Sequence, residues 1–335
     1  MKLIIQIPCF NEEATLPATL ADLPKNLPGI DKIDVLIIND GSTDATLEIA
    51  RQYGVDHIIE FSKNQGLAFA FQTGLDACLK LGADLIVNTD ADNQYCGADI
   101  PKLVGPILEG KADLVVGTRD IGTIKHFSSV KKLLQRIGSW VVGRASGILI
   151  RDTTSGFRAF NREAALRTIV HSKFSYTLET LVHAGAGPLS VEQVPIRVNE
   201  KLRESRLAGS TWVYLKKSTT TLLRIYSMIN PLRVFLLIGG TIFGLGFLLG
   251  GRYLYFYIVA TASGHIQSLI LAAILMLVGF QTMVIGLVAD LIGANRRLSE
   301  DILYRLRKIE IDGIQKREVE RDRPQETAQS VQNRR

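Results

Sequence analysis

The sequence predicts an α/β domain with a largely parallel sheet, followed by a hairpin of two transmembrane helices. Short apolar runs alternate with helical patterns over residues 1–210, which is the order of elements in α/β folds. Polar clusters follow four of these runs, and two long uncharged stretches lie nearer the carboxyl terminus. The 335 residues, 47% of them hydrophobic and 21% charged, exclude a disordered or low-complexity chain.

The predicted strands are apolar on both faces, as buried parallel strands are. They cover Leu3–Ile7, Val35–Ile38, Leu85–Val87 and Leu114–Val116. The helical patterns cover Glu12–Leu23, Asp44–Tyr53, Gly66–Leu81 and Ala98–Glu109. Because ligands bind at the carboxyl ends of the strands in such sheets, the residues that follow each strand are the candidates for chemistry.

Four polar clusters stand at those strand ends, and three of them are acidic. They are residues 8–13 (PCFNEE), 39–44 (NDGSTD), 88–94 (NTDADNQ) and 117–120 (GTRD). One loop rich in Asn, Asp and Gly is usually a turn or a helix cap. Four such loops at one sheet edge indicate a binding site instead.

Asp90 and Asp92 are one residue apart and can converge on one hard cation, with Gln94 as a neutral oxygen ligand. Mg²⁺ and Mn²⁺ accept carboxylate, amide and phosphate oxygens, so such an ion would anchor a diphosphate that the carboxylates alone repel. The sequence has no GxxxxGK[ST] run and no GxGxxG after the first strand, which disfavours P-loop enzymes and dinucleotide dehydrogenases.

The two uncharged stretches predict membrane-spanning helices, because a helix crosses a bilayer with roughly 20 apolar residues. The resulting spans are residues 232–262 and 266–292, preceded by an interfacial amphipathic helix over 211–231 and followed by a charged tail over 296–335. Lysine and arginine flank the spans and are scarce between them, which predicts that both termini are cytoplasmic. Two buried helices of a soluble core, and an ordinary surface helix at 211–231, stay open as alternatives.

The motifs resemble a known family. PCFNEE, NDGSTD, the lysine and glycine of KNQG and the DAD motif are similar to family 2 glycosyltransferases of the GT-A fold. GTRD, DTTSGFR and EQVPI resemble the branch that glycosylates polyprenyl phosphates, which contains dolichol-phosphate mannose synthase and undecaprenyl-phosphate enzymes. The similarity covers residues 1–210, and it implies that they form a Rossmann-like GT-A catalytic domain.

The resemblance implies a role for each matching residue. Contacts with the sugar nucleotide are implied for Pro8, Phe10, Asn11, Glu12, Asp40, Lys63, Gly66 and Arg203. Asp90 would lie beside the diphosphate and the donor sugar, and Asp92 and Gln94 would hold Mg²⁺ or Mn²⁺ with it. The usual run of the family here is DADLQ, whereas this chain has DADNQ.

Contacts with the acceptor phosphate are implied for Arg119, Lys132, Arg136 and Ser155. Lys132 and Arg136 stand where the family usually has Arg and Ser, and a solvated basic helix face is their alternative interpretation. Asp90, Asp92 and Arg119 form the implied catalytic set.

The implied reaction moves a hexose, mannose or glucose, from a GDP- or UDP-sugar to a polyprenyl phosphate with inversion at the anomeric carbon. A phosphate monoester has a second pKa of about 6, so the acceptor needs little help from a general base. The expected partners are the sugar nucleotide, the polyprenyl phosphate and membrane lipid; no basic recognition helix for nucleic acid stands out, and a homo-oligomer is compatible. A family 2 transferase acting on another lipid or a polysaccharide, and a non-catalytic membrane accessory protein, are the alternatives.

Overall fold

The computed structural model describes residues 1–119, 152–170, 176–199, 230–259 and 266–321, with the single residues 143 and 227. The contacts divide the chain into two compact units. One unit is Met1–Thr211 together with Leu303–Arg335, and the other is Trp212–Ile302. Three predicted site residues, Lys132, Arg136 and Arg203, lie outside the described residues, as does nearly all of the predicted interfacial helix.

The first unit contains a sheet in which seven strands are described. They are β1 (Lys2–Cys9), β2 (Lys32–Asn39), β3 (His57–Glu60), β4 (Leu85–Asn88), β5 (Leu114–Arg119), β6 (Arg158–Asn161) and β7 (Val191–Ile196). Their order across the sheet is β3-β2-β1-β4-β6-β5-β7, and β6 alone of them runs antiparallel to its neighbours. The predicted α/β fold with a largely parallel sheet is therefore confirmed.

Six α-helices are described between the strands of this unit. They are α1 (Leu16–Ala21), α2 (Thr46–Gln52), α3 (Leu67–Lys80), α4 (Ile100–Leu108), α5 (Arg162–Arg167) and α6 (Tyr176–Ala186). The first begins later than its sequence pattern predicts, because the backbone N–H of Glu12 donates to Thr46 Oγ1 (2.8 Å) in a loop and Pro17 follows at the start of the helix. The third begins after Gly66, whose φ of 98° interrupts the helical backbone.

Three of the strands were not predicted, and each has a physical reason. The strand β3 is short, with four residues of sequence HIIE. The strand β6 starts with the charge of Arg158, although that side chain is fully buried. The strand β7 (VEQVPI) lies at the edge of the sheet and is mostly half-buried, so its sequence lacks the apolar signal of a central strand.

Helices cover both faces of the sheet and form two hydrophobic clusters. Alternate residues of β1 supply them: Ile4 belongs to one cluster, and Ile5 and Ile7 belong to the other. This follows from the two-residue period of a strand. The first cluster packs against α3, α5 and α6, and the second packs against α1 and α4. Both faces of the central strands are buried, which explains their continuous apolar sequences.

The second unit consists of α7 (Pro231–Val259) and the first part of α8 (Ile266–Arg321). Both helices are long and apolar enough to cross a membrane, with mean hydropathies of 2.1 and 2.3 over their most apolar windows. They approach closely at small residues: a Cβ on Gly239 would lie 2.7 Å from the carbonyl oxygen of Gly279. The helix α8 continues beyond the predicted span and through much of the predicted charged tail.

A candidate active site at the carboxyl edge of the sheet

The side of the sheet on which successive strands are added changes at β1. The chain proceeds from β1 to β2 and β3 on one side, and β4 then adds to the other side of β1. Loops that leave neighbouring strands at such a reversal diverge and leave a crevice, which is where open α/β sheets bind ligands. The loops after β1, β2 and β4 carry three of the four predicted polar clusters to this edge.

The loops after β1 and β2 hold each other by side-chain contacts. Asn11 adopts a left-handed backbone with φ of 55°, which asparagine tolerates better than most residues. Its backbone N–H donates to Ser42 Oγ (3.0 Å), and its Oδ1 accepts from the backbone N–H of Thr43 (2.8 Å). A cleft of about 300 Å³ lies between these loops and is lined in part by Asn11 and Glu12. Pro8 is buried beneath them, and Phe10 is exposed.

Asp40 joins the β2 loop to the loop that precedes α3. Its carboxylate accepts the backbone N–H of Gln65 (2.6 Å) and of Gly66 (2.9 Å). The loops touch so closely that a Cβ on Gly41 would lie 2.6 Å from the carbonyl carbon of Lys63. The structure therefore brings Asp40, Lys63 and Gly66 together, and their contacts with a sugar nucleotide stay a prediction. The Asp40 carboxylate also has a structural role, because its two hydrogen bonds hold the loop before α3 in place.

The acidic turn, residues 90–94, follows β4. Asn93 has a φ of 55°, which turns the backbone so that Gln94 faces Asp92. The backbone N–H and the Nε2 of Gln94 donate to the two carboxylate oxygens of Asp92, at 3.1 Å and 2.6 Å. The backbone N–H of Asn199 donates to the carbonyl of Gln94 (2.9 Å) and holds the turn from the other side. Gln94, two residues further along the chain, thus holds the Asp92 carboxylate in one orientation.

Gly156 packs directly against the carboxylate of Asp90. Its N–H donates to Tyr95 Oη (3.0 Å), and its carbonyl accepts from Asn88 Nδ2 (2.8 Å). The same Asn88 nitrogen lies 3.1 Å from Tyr176 Oη. A Cβ on Gly156 would lie 2.5 Å from Tyr176 Oη and 3.0 Å and 3.1 Å from the two carboxylate oxygens of Asp90. Only glycine allows this approach. Asn88 stands in the polar cluster 88–94 of the sequence without a role of its own, and no sequence pattern pointed to Tyr176.

The two carboxylates of the acidic turn influence each other. Burial raises the pKa of Asp90 to about 7, and the charge of Asp92 adds to the rise, while the Arg119 guanidinium opposes it. Crowded carboxylates of this kind are relieved by a divalent cation. Among the described residues no cluster of three or more His, Cys, Asp and Glu side chains forms a metal cage. Two carboxylates, an amide and substrate phosphates nevertheless suit Mg²⁺, so the residues present fit such an ion.

Arg119, at the end of β5, is tied to a buried aspartate. Its Nε lies 2.7 Å from Asp152 Oδ2, and its Nη2 donates to Asp152 Oδ1 (3.1 Å) and Thr154 Oγ1 (2.9 Å). Burial alone would raise the pKa of Asp152, but the hydrogen bonds from Arg119 outweigh it and lower the pKa. Ser155 follows in the same loop, and its buried hydroxyl has no hydrogen-bond partner among the described residues. Two predicted acceptor contacts are therefore neighbours in space.

Arg158 is the largest fully buried side chain of the described residues, and its sequence context predicts no separate role for it. It donates from Nε to the carbonyl of Ser155 (2.9 Å) and from Nη2 to that of Thr153 (3.2 Å), and Nη1 contacts Thr180 Oγ1. Burial lowers its pKa to about 10, so it keeps its charge at neutral pH. The sequence signal for this anchor is its place at the end of the DTTSGFR motif, and the structure adds that the side chain is buried.

Comparison with known proteins gives a consistent result. The family model described as glycosyl transferase family 2 matches residues 4–168. An uncharacterized protein of Methanocaldococcus jannaschii is 31% identical over 204 residues, which is 58% of this chain and 81% of that protein. The polyprenol monophosphomannose synthase of Mycolicibacterium smegmatis is 27% identical over 219 residues, covering 62% of this chain and 81% of that protein.

A third relative differs in its sugar. The UDP-N-acetylglucosamine–dolichyl-phosphate N-acetylglucosaminyltransferase of Methanococcus voltae is 28% identical over 215 residues, covering 57% of this chain and 83% of that protein. Among solved structures, glucosyl-3-phosphoglycerate synthase from Mycobacterium tuberculosis, in complex with Mn²⁺, UDP and phosphoglyceric acid, matches with a TM-score of 0.52. That match is 19% identical and covers 68% of this chain and 77% of the other, which supports the fold.

Proposed function

The chain belongs to glycosyl transferase family 2, and we propose on this basis that it transfers a hexose from a GDP- or UDP-sugar to a polyprenyl phosphate at a membrane surface. The observation that carries the proposal is the acidic turn packed onto Gly156 at the reversal point of the sheet. It places two carboxylates beside a loop with a buried arginine anchor and an unpaired serine hydroxyl. Acidic and basic groups adjoin there, as a diphosphate donor with a phosphate acceptor requires.

Relatives of this chain support the acceptor class. Two of them are named for transfer to polyprenol or dolichyl phosphate, although their sugars differ. The acceptor is thus the better supported of the two substrates, and mannose or glucose is our proposal for the donor sugar. A lipid-linked phosphate carries its own negative charge, so its oxygen attacks the anomeric carbon while the bond from that carbon to the nucleoside diphosphate breaks.

Asp90, Asp92 and Gln94 would hold Mg²⁺ or Mn²⁺. When bound, the ion would neutralise the charge that develops on the departing diphosphate. The chain's own groups do the rest: Gly156 sets the position of Asp90, and Gln94 orients Asp92. Arg119, aligned by Asp152, would approach the acceptor phosphate together with the hydroxyl of Ser155.

Membrane anchoring is part of the proposal. The helices α7 and α8 contain long apolar segments whose side chains are mostly exposed, for example Leu237 and Ile258. Exposed apolar helices suit lipid better than water. A polyprenyl phosphate stays in the bilayer, so an anchor keeps the enzyme at its acceptor. The distribution of Lys and Arg supports a cytoplasmic catalytic unit and carboxyl terminus.

The test is transfer by the purified full-length chain with Mg²⁺ or Mn²⁺, labelled GDP- and UDP-sugars and a polyprenyl phosphate. We expect an acid-labile, solvent-extractable labelled lipid. Asp92→Asn should abolish it, whereas Asp31→Asn, at an exposed carboxylate at the amino edge of the sheet, should leave it intact. Absence of product with every donor refutes the proposal. Transfer only to a different lipid or a polysaccharide would instead retain the family and overturn the acceptor.

A further inference from the structure

The end of α8 is built into the first unit. Residues from Leu303 onward belong to that unit, and Ile311 is 3% exposed within the hydrophobic cluster that packs against α3, α5 and α6. Tyr304 packs against the same cluster. The core of the domain that carries the candidate site therefore includes residues from a helix more than a hundred positions later in the chain. The charged sequence of this segment conceals that burial.

Arg307 makes the most extensive polar contacts of this segment. Its Nη1 donates to the carbonyls of Leu166 (2.5 Å) and Thr168 (3.0 Å), and its Nη2 contacts Asp76 of α3. The side chain is only 12% exposed. The carbonyls at the end of a helix have no partners within it, and a cation there is favourable. Arg307 thus supplies the missing donors at the end of α5 and ties it to α3.

Contacts of Tyr304 also join α8 to α5. Tyr304 Oη donates to the carboxylate of Glu163 at 2.8 Å, and the guanidinium of Arg167 lies 4.1 Å from the Tyr304 ring centroid. Glu163 and Arg167 are also paired with each other along α5 (2.6 Å). Charged groups that are partly desolvated and mutually aligned fix orientation better than isolated surface pairs do.

Residues 168–170, which follow α5 and are called the connector below, are held against α3. Gln72, one turn before Asp76 on α3, accepts the backbone N–H of Val170 at 2.9 Å. Phe71, next to Gln72, stacks on the ring of Tyr176 with centroids 4.0 Å apart. Tyr176 Oη is the hydroxyl that meets Asn88 beneath Asp90. The helix α3 therefore contacts Tyr176 through Phe71, the connector through Gln72 and Arg307 through Asp76.

We propose that Arg307 is a positioning residue for sugar transfer: it ties the end of α5 to α3, and α3 in turn holds Tyr176 in place beside Gly156 and Asp90. This inference rests on the proposed function and deepens it, because it makes the end of the second candidate span part of the catalytic unit. Arg307 touches no substrate. Its effect passes through α3, on which both Tyr176 and the connector lean.

The experiment compares Arg307→Ala, Arg307→Lys and Gln72→Ala in the full-length protein, with Lys80→Ala as the matched control. Lys80 forms an ion pair of 3.0 Å with Glu310, so the control removes a contact between α3 and the same part of α8 without touching the connector. Two quantities are measured: kcat with KM for the donor, and hydrogen exchange of the Val170 amide. Gln72→Ala removes the hydrogen bond to Val170, together with the one from Gln72 Nε2 to Asp76 Oδ1 (3.3 Å), and changes no residue of α8.

For Arg307→Ala we expect kcat about tenfold lower with donor KM nearly unchanged, and faster exchange at Val170. Arg307→Lys should restore part of both, Gln72→Ala should repeat the loss, and Lys80→Ala should match wild type. Wild-type kcat and exchange in Arg307→Ala overturn the inference, as does an equal loss of kcat in Lys80→Ala. If Arg307→Ala does not fold, Gln72→Ala with Lys80→Ala decides. A wild-type chain that transfers no sugar refutes the proposed function, and the exchange measurements still test the link from Arg307 to the connector.

Discussion

The contact between Gly156 and Asp90 yields the sharpest prediction. In Gly156→Ala the new Cβ would lie 2.5 Å from Tyr176 Oη and 3.0 Å and 3.1 Å from the Asp90 oxygens, whereas ordinary contact starts near 3.4 Å. The hydroxyl must therefore retreat by about 0.9 Å and the carboxylate by 0.3–0.4 Å. Misplacement of a reacting group by about 1 Å costs roughly a hundredfold in rate, so we expect kcat to fall by about tenfold to a hundredfold.

Stability should change less than activity. Overpacking of a close contact costs about 1–3 kcal/mol in the free energy of unfolding, which leaves a stable domain folded. The matched control is Gly105→Ala, a glycine in α4 with open space around it, which should keep wild-type kcat. Adding Tyr176→Phe removes the nearest clashing atom and should restore part of the activity lost in Gly156→Ala. The assay is transfer of labelled sugar to polyprenyl phosphate, with thermal unfolding measured beside it. Wild-type kcat in a folded Gly156→Ala protein would refute this account of how Asp90 is positioned.

Three further predictions concern metal, pH and topology. A chelator should abolish transfer, and Mn²⁺ or Mg²⁺ should restore it; full activity in chelator would remove the metal assignment of Asp90 and Asp92. Burial alone would raise the pKa of Asp99, but hydrogen bonds from Arg197 and Lys102 lower it from 3.8 to about 2. Asp99 therefore contributes roughly 2 kcal/mol above pH 4, lost as the pH falls toward 2. Thermal unfolding of Asp99→Asn should show a lower midpoint at pH 6 and a weaker decline with acid; parallel curves would contradict this. Protease added outside sealed right-side-out vesicles should spare the catalytic unit, and its digestion would reverse the predicted orientation.

Local patterns were enough for much of the candidate site. Asp90, Asp92 and Gln94 follow an apolar run directly, so the strand could be recognised, and the metal ligands proposed, within ten residues of sequence. The roles of all the predicted site residues stay predictions, although the structure brings Asp40, Lys63 and Gly66 together and sets Arg119 beside Asp152. That second pairing joins residues 33 positions apart and follows no local period.

The supporting residues escaped prediction for the same reason. Asn88 and Tyr176 contact each other across 88 positions, and Arg307 reaches Asp76 across 231. Whether two such residues meet depends on strand order, on the antiparallel insertion of β6 and on the return of α8 to the domain. Strand order, the antiparallel β6 and the return of α8 cannot be recognised from any short stretch of the sequence.

Periodicity, chain length and the order of motifs alone determined the fold class, the glycosyltransferase family and two helices long enough to span a bilayer, because these are properties of neighbouring residues. Tertiary structure decided the contacts around the acidic turn and behind it: Gly156 against Asp90, Arg158 inside the adjoining loop, and Arg307 at the end of α5. Those contacts depend on packing between segments that are distant in the sequence. Atoms lie so close there that a Cβ would have to displace its neighbours by a few tenths of an ångström or more, so only glycine fits without rearrangement.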